Sequence, residues 1–213
     1  MAKKTPEEAR ATYELILDAA EQVFCDKGVS QASLCDIASA AGVTRGAIYG
    51  HFKNKIDVFN RMHERVHLPI ERLAEEAASP QEPDPLGRLR ALLVKVLQET
   101  ASDPRQRRVL EILYHKCEMT PELGPLIERQ KGLRAQALEH LERFCDNAVA
   151  RSQLPAAIDC RRAAVGLHAY MTGLIANWLL APESFALGAE AEALVDVYLA
   201  SLAGGRPAQG AGA

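Results

Sequence analysis

The twenty-three residues from Ser33 to Lys55, SLCDIASAAGVTRGAIYGHFKNK, constrain the fold more than any other stretch of this chain. Ile37, Ala38, Ala41, Gly42, Val43 and Ile48 fall where two short helices joined by a tight turn need them. Ala38 is small enough to let two helices cross closely. Gly42 tolerates the positive φ that ends a helix. Ile37, Val43 and Ile48 supply an apolar joint, and Ser33 and Thr44 each stand before a helical run they can cap. Together these features predict a helix-turn-helix, in which the second helix enters the major groove of duplex DNA.

Composition limits what kind of DNA binding is available. The chain has 213 residues and a formal net charge of −3, which excludes a generally basic protein that coats nucleic acid. Residues 1–60 are not basic either, with Lys or Arg at 3, 4, 10, 27, 45, 53 and 55 against Asp or Glu at 7, 8, 14, 18, 21, 26, 36 and 57. The positive groups gather locally instead, at Arg45, Lys53 and Lys55 with His51 between them. A site-reading protein needs that arrangement.

The segment Thr44 to Lys55, TRGAIYGHFKNK, resembles the recognition segment of the TetR family of bacterial transcriptional regulators. Ile16 to Phe24, ILDAAEQVF, with Gly28 is similar to that family's first helix. The opening Ala2-Lys3-Lys4-Thr5 and the stretch Arg108 to Tyr114 also resemble the branch that represses multidrug efflux pumps of the RND type. The resemblance implies an all-helical chain of about nine helices, with an N-terminal helix-turn-helix domain over 1–55. A helical effector-binding and dimerisation domain would follow over 56–203, and 204–213 would be a disordered tail. It implies a cytoplasmic, homodimeric repressor of an efflux operon that reads a palindromic operator. A hydrophobic small molecule or an antirepressor protein would release it.

The pattern along the chain agrees with a helical fold, since no run of alternating strand residues occurs. A first helix is predicted over 6–27, with Leu15, Ile16, Ala19, Ala20, Val23 and Phe24 facing inward and Gly28 ending it. Asn54 is placed to cap a fourth helix, with Asp57 in the capping-box position, and Pro69 is expected to kink that helix. Later helices are predicted at about 86–101, 105–117, 122–150, 159–180 and 183–203. The five cysteines, at 25, 35, 117, 145 and 160, are widely spaced with no CxxC, and the N-terminus is charged with no apolar signal segment. Free thiols in a reducing compartment are the expectation. Residues 163–182 carry no formal charge. Their polar members predict a helix buried in a subunit interface and not a membrane span.

Within the helix-turn-helix, Arg45 is the one long donor on the short second helix and can hold guanine O6 and N7 through two parallel hydrogen bonds. Gly46 and Ala47 present almost no side chain, so the backbone can approach closely, and the Ala47 methyl can meet a thymine methyl; Gly50 is a further candidate contact. Glycine at 50 departs from the efflux repressors, which often carry an aromatic there. The family pattern implies that Tyr49 and His51 hold phosphate, while Phe52, by its residue type, reads as a core aromatic. Thr44, Ser33 and Lys55 each stand at a helix start and are candidate phosphate contacts, and Lys3 and Lys4 can reach a neighbouring phosphate or the minor groove. His63-Glu64-Arg65-Val66-His67 matches HExxH, the zinc-protease signature. No GxxH follows, so neither a catalytic function nor a cofactor is expected. The alternatives are a metal-responsive regulator using His63 and His67, with His115 or Cys117, or a helical zinc enzyme. Leu93, Leu97, Leu113, Tyr114, Cys117, Tyr170, Met171 and Trp178 are candidate ligand-pocket walls. Leu167, Leu174, Trp178, Leu194, Val197, Tyr198 and Leu202 are candidates for a four-helix dimer interface.

Overall fold

The computed structural model describes residues 5–118 and 120–204. Lys3 and Lys4, and the tail beyond Gly204, lie outside the described residues. The described chain contains nine α-helices and one 3-10 turn. They are α1 (Pro6–Lys27), α2 (Leu34–Ala40), α3 (Arg45–His51), α4 (Lys55–Ala77), α5 (Pro85–Ser102), α6 (Pro104–His115), the 3-10 turn (Pro121–Leu123), α7 (Gly124–Ala150), α8 (Cys160–Leu180) and α9 (Ala191–Gly204). The all-helical expectation holds, and Pro69 lies inside α4, which continues through it to Ala77. The last helix starts later than the 183 predicted. Residues 181–187 form turns, with Ser184 N–H donating to Ala181 O and Leu187 N–H to Phe185 O. Leu187 is buried in the process.

Two caps differ in detail from the sequence reading. Thr5 and Glu8 form a full capping box on α1, Thr5 N–H donating to Glu8 Oε2 at 2.8 Å and Glu8 N–H to Thr5 Oγ1 at 3.2 Å. Asn54 does cap α4, accepting from Asp57 N–H at 2.9 Å, but the Asp57 carboxylate accepts from Lys53 N–H, one residue before the box position. The phase of α1 also differs. Leu15 is 49% exposed, whereas Leu17 is fully buried. At 100° per residue the inward stripe is Tyr13, Ile16, Leu17, Ala20 and Phe24, which leaves Leu15 on the far side.

The chain divides into two compact units. The first runs to Leu68 and includes Pro104–Gln130; the second comprises Pro69–Asp103 and the chain from Lys131. The first unit thus extends past the boundary expected after 55, because α4 and α6 share its core. Phe24, Ile37, Ile48, Phe52, Phe59, Met62, Val109 and Ile112 pack in one cluster there. An ion network runs along the same helices. Glu21 of α1 is only 2% exposed, and Arg65 of α4 donates to it at 3.0 Å, to Glu14 at 2.6 Å and to Asp18 at 2.8 Å. Arg105 and Arg108 of α6 approach Glu21 at 3.4 and 3.5 Å. Burial pushes the Glu21 carboxyl up, and the guanidiniums of Arg105, Arg65 and Arg108 oppose that shift.

The HExxH stretch lies in the same core. His63 is 5% exposed and stacks between Phe59, at 6.4 Å, and His67, at 5.2 Å between ring centroids. Burial, with help from His67 and Arg129, lowers its pKa to about 4. Glu64 pairs with Arg129 at 2.8 Å and with Arg61 at 2.9 Å, so the residue that would act as a protease base is tied into ion pairs. Among the described residues no group of three or more His, Cys, Asp or Glu side chains is placed to hold a metal ion.

In the second unit, α5, α8 and α9 pack together. Cys145 of α7 and Cys160 of α8 are joined by a disulfide, their Cα atoms 5.4 Å apart. This corrects the expectation of five free thiols. The loop 151–159 brings the start of α8 back against the end of α7, so residues fifteen apart in sequence meet. Cys25, Cys35 and Cys117 remain free. By length and composition α8 is apolar enough to cross a membrane. Seven of its residues, including Leu167, Met171, Ile175 and Trp178, are buried.

Three outcomes follow. Arg65→Ala is expected to cost roughly 2–3 kcal/mol in urea unfolding, because it leaves Glu21 buried with only its longer contacts. Arg72→Ala, at an exposed pair, is expected to cost under about 0.5 kcal/mol. Equal effects of the two would show that the network carries no stability. For His63 the folded pKa is depressed below the unfolded value. The unfolded chain therefore binds more protons between these values, and stability drops as pH falls from about 6.5 towards about 4. The loss over that window is on the order of 3 kcal/mol, and His63→Phe should flatten it in unfolding measured at pH 7 and pH 5. Alkylation of the denatured, unreduced protein is expected to add three groups by intact mass, one for each free cysteine; five would refute the disulfide.

Candidate nucleic-acid interface

The helix-turn-helix is built as its sequence dictates. The Ser33 hydroxyl accepts from Asp36 N–H at 3.1 Å, and the Asp36 carboxylate accepts from Ser33 N–H and Ser33 Oγ. Lys27, at the end of α1, reaches the same carboxylate at 2.7 Å. Those hydrogen bonds, Lys27's first, lower the Asp36 pKa to about 2. Helix α2 ends at Gly42 with φ +64°, and Val43 N–H donates to Ala38 O at 3.0 Å across the turn. Thr44 then caps α3, accepting from Ala47 N–H at 3.2 Å.

Helix α3 has two distinct edges. Ile48 within it and Phe52 just after it are buried. Thr44, Arg45, Gly46, Tyr49, Gly50 and Lys53 are exposed on the other side, Tyr49 by 53%. Seven residues make a helix about 10 Å long, which fits a major groove about 12 Å wide. Nothing lies within 4 Å of where a Cβ on Gly50 would sit, so this edge is open. Ala47 and His51 are half-exposed at its border.

Tyr13 of α1, which the sequence reading passed over, braces this edge from behind. Its ring stacks on Phe52 at 5.0 Å and meets His51 edge-on at 6.1 Å. The signal was available: Tyr13 lies four residues before Leu17 and extends the buried stripe of α1 by one turn. Lys55 is placed differently from the other basic candidates. Its ammonium donates to the backbone carbonyls of Ser30 and Ala32.

The remaining candidates fall in both units. Leu93, Leu97, Met171 and Trp178 are buried in the second unit, while Leu113 and Cys117 pack against the core of the first and Tyr114 is half-buried there. Tyr170 stacks on Tyr198 at 5.3 Å and donates to Leu194 O, and Tyr198 donates to Ala163 O. These two aromatics therefore join α8 to α9. Leu167 is buried, Leu174, Leu194 and Leu202 are half-buried, and Val197 is 67% exposed. Leu180, at 73%, and Val165, at 39%, are exposed apolar residues of α8 that the sequence reading did not single out.

Two family models match this chain. Residues 16–62 match the bacterial regulatory proteins of the tetR family, and residues 84–203 match the C-terminal region of MAATS-type transcriptional repressors. The chain is 42% identical over 199 residues to the HTH-type transcriptional regulator TtgR of Pseudomonas putida, covering 93% of this chain and 95% of that one. It is also similar to NalD, the secondary repressor of the MexAB-OprM multidrug efflux pump in Pseudomonas aeruginosa. That structure superposes with a TM-score of 0.83 and 38% identity, covering 92% of this chain and 98% of that one. SmeT, the repressor of the Stenotrophomonas maltophilia efflux pump SmeDEF, was solved as a triclosan complex and gives a TM-score of 0.83 at 36% identity over 90% and 91% of the two chains. With an exposed reading edge on a capped helix-turn-helix and relatives matching over nearly its whole length, the chain belongs to the TetR family of bacterial transcriptional regulators.

Proposed function

We propose that this protein is a cytoplasmic, homodimeric repressor of a multidrug efflux operon, released from DNA by a small-molecule inducer. The observation that carries the reading is the exposed edge of α3. It offers Arg45, the one long donor within the helix, beside Gly46 and Gly50, which leave the backbone open to a groove, on a chain similar throughout to efflux-pump repressors. Arg45 is exposed at the first position of α3, from which a guanidinium can hold guanine O6 and N7. In this reading the Ala47 methyl meets a thymine methyl, and Tyr49 and His51 flank the edge as phosphate ligands. The hydroxyls of Ser33 and Thr44 serve as caps and reach DNA only as a secondary contact.

A palindromic operator is read by two copies whose α3 helices sit about 34–36 Å apart. Pairing through α8 and α9 is supported by exposed Leu180 and Val197. A shallow surface groove of Ala169, Tyr170, Gly173, Leu174, Asn177 and Phe185 supports it too. The inducer reading is supported by SmeT having been solved with triclosan; a hydrophobic small molecule against Leu93, Leu97, Met171 and Trp178 is the first choice, and an antirepressor protein the second. Cytoplasmic work sits beside a disulfide of a kind uncommon in that compartment. Cys145 is only 4% exposed, and Cys160 is half-buried.

The test is fluorescence anisotropy with duplex DNA from the region upstream of this protein's gene, against a random duplex of the same length. Arg45→Ala is expected to lose roughly 1–3 kcal/mol of discrimination between the two, with fold and dimer unchanged. Wild type that binds both duplexes equally would refute a site-reading repressor. A mutant that discriminates as wild type does would remove Arg45 from base reading.

A further inference from the structure

A lysine at the first residue of a helix opposes the helix dipole, so its placement there calls for a local partner. Lys55 opens α4, and its half-buried side chain turns back under the loop between α1 and α2. There it donates to Ser30 O and, at 3.2 Å, to Ala32 O. The same loop is fastened from its other side. Val29 N–H donates to Lys116 O at 2.9 Å, and Ser30 Oγ donates to Glu118 Oε2 at 2.8 Å. At Gly28, with φ +78°, a Cβ would lie 3.3 Å from Lys116 O, so the chain passes that carbonyl closely. The Lys55 charge also contributes, behind hydrogen bonds from the Glu122 backbone and Thr120, to holding the Glu122 carboxyl below its ordinary range. Its positive charge thus faces protein carbonyls.

We propose that Lys55 is a positioning residue that holds the α1–α2 loop, through the carbonyls of Ser30 and Ala32, in place for DNA reading, and is not a ligand of DNA phosphate. Ala32 directly precedes Ser33, the cap of α2. Fixing Ala32 O therefore fixes where α2 begins, and through the Gly42 turn where α3 lies. Two of the three ammonium protons are committed to this task, and Ser30 and Glu118 supply the opposing hold.

The proposal rests on the reading that this unit binds DNA, and two measurements keep the two ideas separable. The first is amide hydrogen exchange in the DNA-free protein. Lys55→Met should speed exchange across Val29–Ala32, and Lys55→Gln, which keeps a neutral donor, should do so less. Unchanged exchange in Lys55→Met would overturn the proposal whatever the DNA results. The second is binding to the upstream duplex as a function of salt. Lys55→Met should weaken binding roughly tenfold, the size expected for losing hydrogen bonds from a charged group. Its salt slope should match wild type, and Lys55→Gln should recover part of the loss. A phosphate ligand behaves otherwise: both variants would lower the slope by about 0.9 per site, and that result would overturn the proposal. Ser30→Ala, which loosens the loop from its other side and removes no positive charge, should weaken binding at unchanged slope too. Full wild-type affinity in Ser30→Ala and Lys55→Met together would show that the loop needs neither hold. If wild type itself does not bind the duplex, the DNA reading fails while the exchange result still decides the role of Lys55.

Discussion

A carboxylate buried in a helical core has to be matched by positive charge, and Glu21 imposes that requirement on the DNA-reading unit. Three arginines meet it from two other helices, Arg65 of α4 and Arg105 and Arg108 of α6. Such a network contributes less to net stability than apolar residues of the same volume would. It contributes geometry instead. An arginine fork satisfies Glu21, Glu14 and Asp18 only when α1 and α4 hold one particular register. The helix behind the helix-turn-helix is thereby locked to α6, although α6 lies far away in sequence.

The helix-turn-helix inherits that register through packing. Phe24 of α1 meets Phe59 of α4 at 6.0 Å, and Tyr13 stacks on Phe52 just beyond α3. Side chains on α1 therefore contact both the helix that the arginines fix and the segment that ends the reading helix. A shift of α4 against α1 would open the Glu21 network or displace Phe52. Neither is cheap in an interior packed as densely as a crystal.

The parts legible in sequence were those set by local chemistry. The Gly42 turn, the Thr44 and Ser33 caps, the Asn54 cap and the burial of Phe52 each depend on a few neighbouring residues. The illegible parts depended on partners distant in the chain. Glu21 read as an ordinary member of a helical segment, and nothing near it in sequence announced Arg105. Lys55 read as one more basic group beside the recognition helix, because the carbonyls it serves belong to a loop twenty-five residues earlier. Cys145 and Cys160 read as unrelated thiols because the turn that joins them has no cysteine signature. Leu15 was misassigned for a different reason. Its stretch of α1 is apolar enough to support two helical phases, and only packing selects one.

The reading edge itself shows why this anchoring matters. A seven-residue helix is far below the length at which an isolated helix is stable in water. Gly46 and Gly50 each cost it about 1 kcal/mol relative to alanine. On its own α3 would not persist. It holds its shape because Thr44 caps it and Ile48 is buried under it, with Phe52 closing its end against Tyr13. The same glycines that weaken it leave its outer edge flat enough to lie close to base pairs. The chain's overall charge of −3 is compatible with such an edge, since a site-reading protein needs local positive groups and not a basic surface.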